Sequence, residues 1–344
     1  MRLSSLVSVL LLCLSLCASA QDADMEHRKF KIGPINYFGY DGLDLEKVRA
    51  ALPLHTNDEV TFATFPEDQL KRVIQEATDR PATDIAVVCC DSNQRLLIFI
   101  GLTGSTSHPL SSSPTPTSNT HLDAQGLQLY NRDMAALMEA MTHGVAAEDD
   151  SEGYAVSAYP EMKAVNLAMR NYALNREKEL TTVLATAQDP KQRIAAAMLL
   201  GYAQRSPTQA QALSRALSDS NETVRNNATR ALEVLASAPN EPLNIDAQPL
   251  IQMLYSGKWT DRNKSSLLLM RLTESSNPSL LRTLHQQAMK PLIEGASWIG
   301  DPGHSDPFLI LLGRVAGIPK PTLDGMVKSK DVQGIVAAAR AATL

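Results

Sequence analysis

KELTTVLATAQDPKQRIAAAMLL (residues 178–200) and QALSRALSDSNETVRNNATRALEVL (residues 211–235) are two copies of one pattern in a chain of 344 residues. Each copy predicts a short apolar helix, a polar turn with an acid at Asp189 or Asp219, and a second helix rich in Ala and Leu. One such pair cannot bury its own apolar face, so neighbouring pairs must stack into a continuous core. The matching positions, 32 residues apart, are Arg193, Ala196 and Leu200 in the first copy and Arg225, Ala228 and Leu232 in the second.

Helix pairs that repeat at this period resemble HEAT repeats, including the shorter HEAT-like kind named after phycobilisome lyases. The resemblance implies a mostly α fold, a HEAT-like α-α solenoid over residues 121–344 that binds partners along an extended surface. A third, degraded copy spans about 247–274, and 331–342 predicts a terminal capping helix. The lyase activity is not carried over, because those relatives act in a compartment facing the cytosol and this chain begins with an export signal.

The three arginines that begin the second helices predict a ladder along one edge of the repeats. They are Arg193, Arg225 and Arg262. Two roles are open for them. They tie adjacent repeats together through acids such as Asp189 and Asp219, or they face the groove and offer bidentate contacts to acidic partners.

The first twenty residues predict a signal peptide. Arg2 is followed by an apolar run, Leu6 to Leu16, that is too short to span a bilayer, and by the small residues Ala18-Ser19-Ala20. We expect cleavage after Ala20, export to the periplasm or secretion, and no integral membrane segment in the mature chain. Removing Arg2 leaves a net charge of 31 − 37 = −6, which argues against nucleic acid as the partner.

Residues 29–102 differ from the helical part and predict a small α+β domain. The order is strand, helix, helix, strand, strand, with a hairpin turn at Asp91-Ser92-Asn93 and a capping box from Thr64 to Glu67. This order, with the opening Ile32-x-x-Ile35-x-Tyr37-x-Gly39, resembles a POTRA domain. The resemblance implies binding of polypeptides by addition of a strand to the sheet edge. A generic α+β module is the alternative.

Residues 103–120 are almost entirely Ser, Thr, Pro, Gly and Asn, a composition that predicts a linker or a long exposed loop. This stretch is the expected boundary between the α+β domain and the helices, and limited proteolysis is expected to cut there first.

Four further features of the sequence are candidate sites. Asp301-Pro-Gly-His304-Ser-Asp306 could bind a metal or act as acid and base, but Ser305 or Asp306 could also cap a helix that begins at Pro307. The acidic loop 148–153 faintly resembles a calcium loop, and a solvated loop is favoured over it. Cys89 and Cys90 are expected to be one packed and one surface thiol rather than a vicinal disulfide. The sequons at Asn221, Asn227 and Asn263 matter only in a glycosylating pathway.

No nucleotide-binding, hydrolase or zinc-protease motif is present in the sequence. The sequence therefore predicts an exported, non-enzymatic scaffold that binds protein or peptide partners, with no catalytic, metal or cofactor residues. The alternative function is an exported hydrolase or metal-dependent enzyme centred on the loop around His304.

Overall fold

The computed structural model describes residues 27–145, 147–237, 243–275 and 277–343. The predicted signal peptide, residues 1–20, lies outside the described residues. Among the helices that the structure describes, none is long and apolar enough to cross a membrane.

A four-stranded sheet occupies the N-terminal part of the chain. Its order is β2-β1-β4-β3, with β1 and β4 parallel and the other two pairs antiparallel. The strands are β1 (Phe30–Phe38), β2 (Glu59–Val60), β3 (Asp84–Val88) and β4 (Leu96–Gly101), and the helices between them are α1 (Leu45–Ala51) and α2 (Glu67–Thr78). The predicted strands and helices are present, but the two-residue strand β2, which was not predicted, lies between the two helices. The hairpin turn forms because Asp91 Oδ1 accepts from the N–H groups of Asn93 and Arg95. The likeness to a POTRA domain stays a prediction.

The run LLIFIG of β4 is buried along its whole length because both faces of the strand are covered. On one face Leu96, Ile98 and Ile100 pack with the apolar stripes of α1 and α2. On the other face the ring of Phe99 contacts those of Trp259 and Trp298.

The predicted capping box at Thr64 to Glu67 is wrong. A 3₁₀ turn, Phe62–Thr64, precedes α2, and the capping box joins Thr61 with Thr64 around that turn. Pro66 occupies the N-cap of α2 without a side-chain hydrogen bond. The Thr64 hydroxyl is therefore used one turn earlier than expected.

Residues 103–120 are extended, and they make backbone hydrogen bonds along their length. The N–H of His108 donates to the carbonyl of Tyr255, that of Ser113 to Ser218, and that of Ser118 to Thr186. Thr106 is fully buried. The composition predicted exposure, and residues 111–115 are exposed, but the segment is held in place at several points.

Helix pairs follow, and local sequence signals mark the residues at which the helices begin. Asp189 and Ser206 cap helices whose first residues are Pro190 and Pro207, where a missing N–H costs little. The helices are α3 (Ala124–Thr142), α4 (Pro160–Leu174), α5 (Glu177–Thr186), α6 (Pro190–Leu200), α7 (Pro207–Ala216), α8 (Glu222–Ser237), α9 (Gln248–Met253) and α10 (Trp259–Leu272), and a short hairpin, β5 (Glu148–Asp149) and β6 (Val156–Ser157), joins α3 to α4.

The repeats pack in two layers. First helices α5 and α7 contact each other, second helices α6 and α8 do the same, and α3 packs beside α6. The expected core positions Ala196, Ala228, Leu200 and Leu232 are all fully buried. The helical repeat region is therefore present, with the register that the sequence predicts.

The C-terminal helices are α11 (Pro278–Gln287), α12 (Met289–Ala296), α13 (Pro302–Val315), α14 (Lys320–Lys328) and α15 (Val332–Ala341). The prediction that a helix begins at Pro307 is wrong. Helix α13 begins at Pro302 and contains Pro307, because Asp301 caps it by accepting from the N–H of Gly303.

The chain divides into two compact units that do not follow its order. The repeat unit comprises Leu110–Met253 and Asn263–Leu280, and the sheet unit comprises, among the described residues, 27–109, Leu254–Arg262 and 281–343. The C-terminal helices thus belong with the sheet. Within the sheet unit, Asn36 exchanges two hydrogen bonds with the backbone of Ile299, and Trp298 Nε1 donates to the carbonyl of Tyr37.

Candidate binding site

The arginines at the starts of the second helices are structural. Each reaches back six residues to a carbonyl of the turn that precedes its helix: Arg193 to Ala187, Arg225 to Asp219 and Arg262 to Ser256. All three are buried. The repeated arginine therefore satisfies carbonyls that the end of the first helix leaves without partners.

The ladder between repeats is formed by only one of the two expected acids. Arg193 Nε and Nη2 donate to the two oxygens of Asp219, at 2.7 and 2.9 Å, in a bidentate pair that joins one repeat to the next. Asp189 instead caps α6 through the N–H of Lys191. These contacts support the tying role of the arginines over the partner-facing role.

The acidic loop 148–153 is held by basic side chains of the repeats. Arg230 Nη2 on α8 contacts both oxygens of Glu148, at 2.6 and 2.7 Å. Asp150 accepts from the Ser237 hydroxyl at 2.7 Å and lies 3.9 Å from Nη2 of Arg271. The expectation of a solvated loop is wrong for these two acids, because their charges are paired with α8 and α10.

A buried carboxylate lies beside this pair. Asp133 on α3 is 4% exposed and accepts from Asn166 Nδ2 at 2.8 Å, and Asn166 Oδ1 accepts from the N–H of Ser157. Burial raises the pKa of Asp133 to about 6, and the charge of Arg230 opposes that rise. The fold therefore gives this carboxyl group, which lies near the hairpin, a pKa close to neutral pH.

A lysine of the third repeat completes the group. Lys264 on α10 is 5% exposed. Burial lowers its pKa to about 8, and the positive charge of Arg230 lowers it further, while Glu233 and Glu148 oppose the change. We name Asp133, Glu148, Arg230 and Lys264 the charged cluster; all four belong to the repeat unit.

Within the described part of the chain, Lys264 has no hydrogen bond and no ion pair. Ions so deeply buried are ordinarily paired, because an isolated ammonium loses its hydration without compensation. The second helix before it carries another unsatisfied group, since the buried Oδ1 of Asn226 has no partner among the described residues. Lys264 is therefore the member of the charged cluster whose donors the described fold does not use.

The repeat register contains a signal for this site. Ala195, Asn227 and Lys264 occupy the same position of successive second helices, at steps of 32 and 37 residues. Ala195 belongs to a purely apolar stretch, whereas Asn227 is 5% exposed and donates to the carbonyl of Ile194. A polar residue at a position that is apolar in the first copy is not explained by core packing, and it therefore indicates a candidate functional position.

The residues of the His304 loop make contacts within the fold. His304 is buried, and its ring lies edge-on to those of Phe99 and Trp259. Asp301 caps α13, and Asp306 is paired with Lys330. In the described residues there is no group of three or more His, Cys, Asp or Glu side chains that could hold a metal ion.

A buried ion pair fastens the sheet unit. Both oxygens of Glu294 are used: Oε2 accepts from the N–H of Gly39 at 2.8 Å and from Arg262 Nη1 at 2.9 Å, while Oε1 accepts from the N–H of Tyr40 at 3.1 Å and from the Thr106 hydroxyl. Burial lowers the pKa of Arg262 to about 10, so the guanidinium remains charged at neutral pH. The pair is fully satisfied, which indicates a structural role.

The two cysteines that follow β3 form a disulfide, so the expectation of two separate thiols is wrong. Cys89 and Cys90 are joined across a cis peptide bond with their Cα atoms 3.1 Å apart. The expectation assumed a trans peptide, in which these atoms are about 3.8 Å apart. Both residues pack against the core of the sheet.

The three sequons lie on or beside helices of the repeats. Asn227 and Asn263 are buried, which leaves no room for a glycan on the folded chain. Asn221 accepts from the N–H groups of Thr223 and Val224 at the start of α8. Only Asn221 is partly accessible.

The comparisons with known proteins agree with the repeat architecture. The family described as HEAT repeats matches residues 177–271, which run from the start of α5 almost to the end of α10. Arg230 and Lys264 lie within the matched residues, whereas Asp133 and Glu148 precede them. No curated protein matches the chain.

Proposed function

We propose that the chain is a non-enzymatic scaffold whose repeat unit forms a HEAT-like solenoid and binds a protein or peptide partner at the charged cluster. HEAT repeats commonly mediate protein interactions, and the match covers the helices that carry Arg230 and Lys264. The observation that carries the proposal is Lys264, a lysine that is only 5% exposed and makes no hydrogen bond or ion pair with the described residues. A partner carboxylate or carbonyl would supply the missing contact.

The proposal is tested by selecting displayed random peptides on the purified chain and measuring their dissociation constants by fluorescence anisotropy. We expect an enriched consensus, and binding weakened about tenfold or more, or 1.4 kcal/mol, by Arg230→Gln. Arg132→Gln is the matched control, because Arg132 is an exposed arginine on α3 next to Asp133 in the chain. Absence of any enriched peptide, or equal binding by both variants, would overturn the proposal.

A second candidate surface is the edge of the sheet. Strand β3 pairs only with β4, so one edge of its five residues is not part of the sheet ladder. If the POTRA-like interpretation of residues 29–102 is right, a partner strand adds at this edge. Peptides selected on the chain would then be extended, and their binding would be insensitive to Arg230→Gln.

The enzyme alternative has no comparable support, because His304 is enclosed by aromatic rings and its two neighbouring aspartates are engaged elsewhere. Metal analysis of the purified chain tests it: we expect no stoichiometric metal, and a bound metal ion lost in His304→Ala would support the alternative.

Export is part of the proposal. It is supported by the short apolar run and the Ala18-Ser19-Ala20 ending of the leader. The intact mass of the protein recovered from its native compartment should correspond to a chain that begins at Gln21. A mass that still includes Met1 would contradict export by cleavage.

A further inference from the structure

The hairpin that contains the acidic loop presents its acids on one side. Strands β5 and β6 pair through Glu148 with Ser157 and Asp149 with Val156, and the N–H of Ala158 donates to the carbonyl of Ala147. In an extended strand alternate side chains point the same way, so Glu148 and Asp150 share one side and Asp149 lies on the other. Asp149 is accordingly exposed, whereas Glu148 and Asp150 are partly buried.

The side that carries Glu148 and Asp150 meets cations of two successive second helices. Arg230 on α8 holds Glu148 through both carboxylate oxygens, and Arg271 on α10 lies beside Asp150. The hairpin is therefore bound to these helices by two acids that are separated by one residue, Glu148 and Asp150, in an extended backbone.

The cations on these helices outnumber the acids of the hairpin that pair with them. Lys264 lies close enough to Glu148 and Arg230 for their charges to act on it, yet it bonds to neither. Arg271 divides its guanidinium between Asp150, Glu233 and Glu274. The hairpin thus fills the surface only in part, and Lys264 is the donor that it leaves unused.

We propose that the surface formed by Arg230, Lys264 and Arg271 recognises an acidic, extended peptide segment of a partner, with acids two residues apart, and that residues 147–158 are its intramolecular occupant. This inference rests on the proposed function and names the chemistry of the partner. The partner displaces the hairpin, and one of its carboxylates reaches Lys264. Charge-assisted contacts of this kind are the stronger class of hydrogen bond.

The hairpin can leave because little holds it as a strand pair. Two residue pairs form its ladder, and Gly153 at its tip has φ of +77°, a conformation that suits glycine. Isolated two-stranded hairpins are marginally stable in water. The second strand is held by Asn166 Oδ1, which accepts from the N–H of Ser157. The acidic arm is held by the contacts of Glu148 and Asp150, and these are the contacts that a competing acidic peptide would replace.

The test uses the full chain and two labelled peptides of equal charge. One is AENDSQG, the sequence 147–153 with acids kept only at the positions of Glu148 and Asp150; the other is AQDNSEG, with acids kept only at the positions of Asp149 and Glu152. The protein is the Glu148→Gln Asp150→Asn double variant, in which the cations are released. We expect AENDSQG to bind the double variant about tenfold more tightly than AQDNSEG, and about tenfold more tightly than it binds the wild-type chain.

Lys264→Met, added to the double variant, should weaken binding of AENDSQG about fivefold or more, and Lys191→Met should leave it unchanged. Lys191 is the matched control because it is an exposed lysine on α6, the second helix of an earlier repeat. Equal binding of the two peptides, or no binding of AENDSQG to a folded double variant, would overturn the inference.

A second measurement applies even if the double variant does not fold. Hydrogen exchange of the wild-type chain is followed with and without an excess of AEDDSEG, the natural sequence 147–153. Displacement of the hairpin should speed exchange of the amides of residues 148–157 about fivefold or more. Unchanged exchange there at a saturating peptide concentration would overturn the inference.

The two levels of the proposal fail differently. If selected peptides bind and depend on Arg230, but the acid-x-acid peptide does not bind, the proposed function is retained and the acidic partner is wrong. If no peptide of any kind binds, both are wrong.

Discussion

Replacing Lys264 by methionine should stabilise the protein, although the lysine is the residue that the proposed function needs. Lys264 is 5% exposed and burial lowers its pKa, so the folded state holds its proton less tightly than the unfolded chain does. Methionine has a similar length and fills the same space without a charge. Removing the charge therefore removes a cost of folding.

The size and pH dependence of the effect follow from the pKa. Its displacement from 10.5 to about 8 corresponds to roughly 3 kcal/mol, because one unit is worth about 1.4 kcal/mol. Since the folded-state pKa is depressed, the penalty is fully present below about 8 and fades as the pH rises towards 10.5. We expect a gain of about 1–3 kcal/mol at pH 7, shrinking to less than half of that near pH 9.5.

The assay is urea denaturation of wild type and variant at both pH values, with Lys191→Met as the control at an exposed position. The control should change the free energy of unfolding by less than about 0.5 kcal/mol at either pH. A Lys264→Met variant that is less stable than wild type at pH 7, or whose gain does not depend on pH, would refute the reasoning.

Three further predictions concern stability and are measured by the same denaturation. Leu232→Ala should lower the free energy of unfolding by about 2–5 kcal/mol because Leu232 is fully buried. The control Leu174→Ala, at a position that is 42% exposed, should lower it by less than about 1 kcal/mol, and similar losses in the two variants would contradict the repeat register. Glu294→Gln should cost about 3–5 kcal/mol by leaving the guanidinium of Arg262 without a counter-charge, and a loss below about 1 kcal/mol would show that the pair does not fasten the sheet unit. Arg225→Gln should lower stability by about 1–3 kcal/mol and leave the dissociation constant of a selected peptide unchanged; the reverse outcome would mean that the arginines face the partner.

The helical repeats could be predicted from sequence because their signals are local. A proline in the first turn and a capping side chain before it fix the starts of α6 and α7, and the recurrence of Arg193 as Arg225 fixes the register. The hairpin turn at Asp91 is equally local, since one carboxylate satisfies the N–H groups of the next few residues. Such features depend on neighbours within a few positions.

What the sequence did not predict depends on residues far apart in the chain. Arg230 pairs with Glu148 across 82 residues, and Glu294 accepts from the N–H of Gly39 across 255. No period or spacing encodes these pairs. The expected helix start at Pro307 is wrong for a different reason: proline commonly begins a helix, but Asp301 caps a helix that begins at Pro302, five residues before Pro307.

The charged cluster could have been suspected from the repeat itself. Alignment of the copies puts Lys264 at the position of Ala195, where a buried side chain is expected. What the pattern alone could not give is the acidic hairpin, because Glu148 lies before the first clear repeat and its contact with Arg230 is tertiary.

The most direct test of the account is the location of a bound peptide. A selected peptide with a benzophenone at its centre is irradiated with the whole chain, and the crosslinked residues are identified by mass spectrometry. The account predicts crosslinks to helices α8 and α10 and to the hairpin 147–158, removed by an excess of unlabelled peptide. Crosslinks confined to strand β3 or to helices α13–α15 would contradict it.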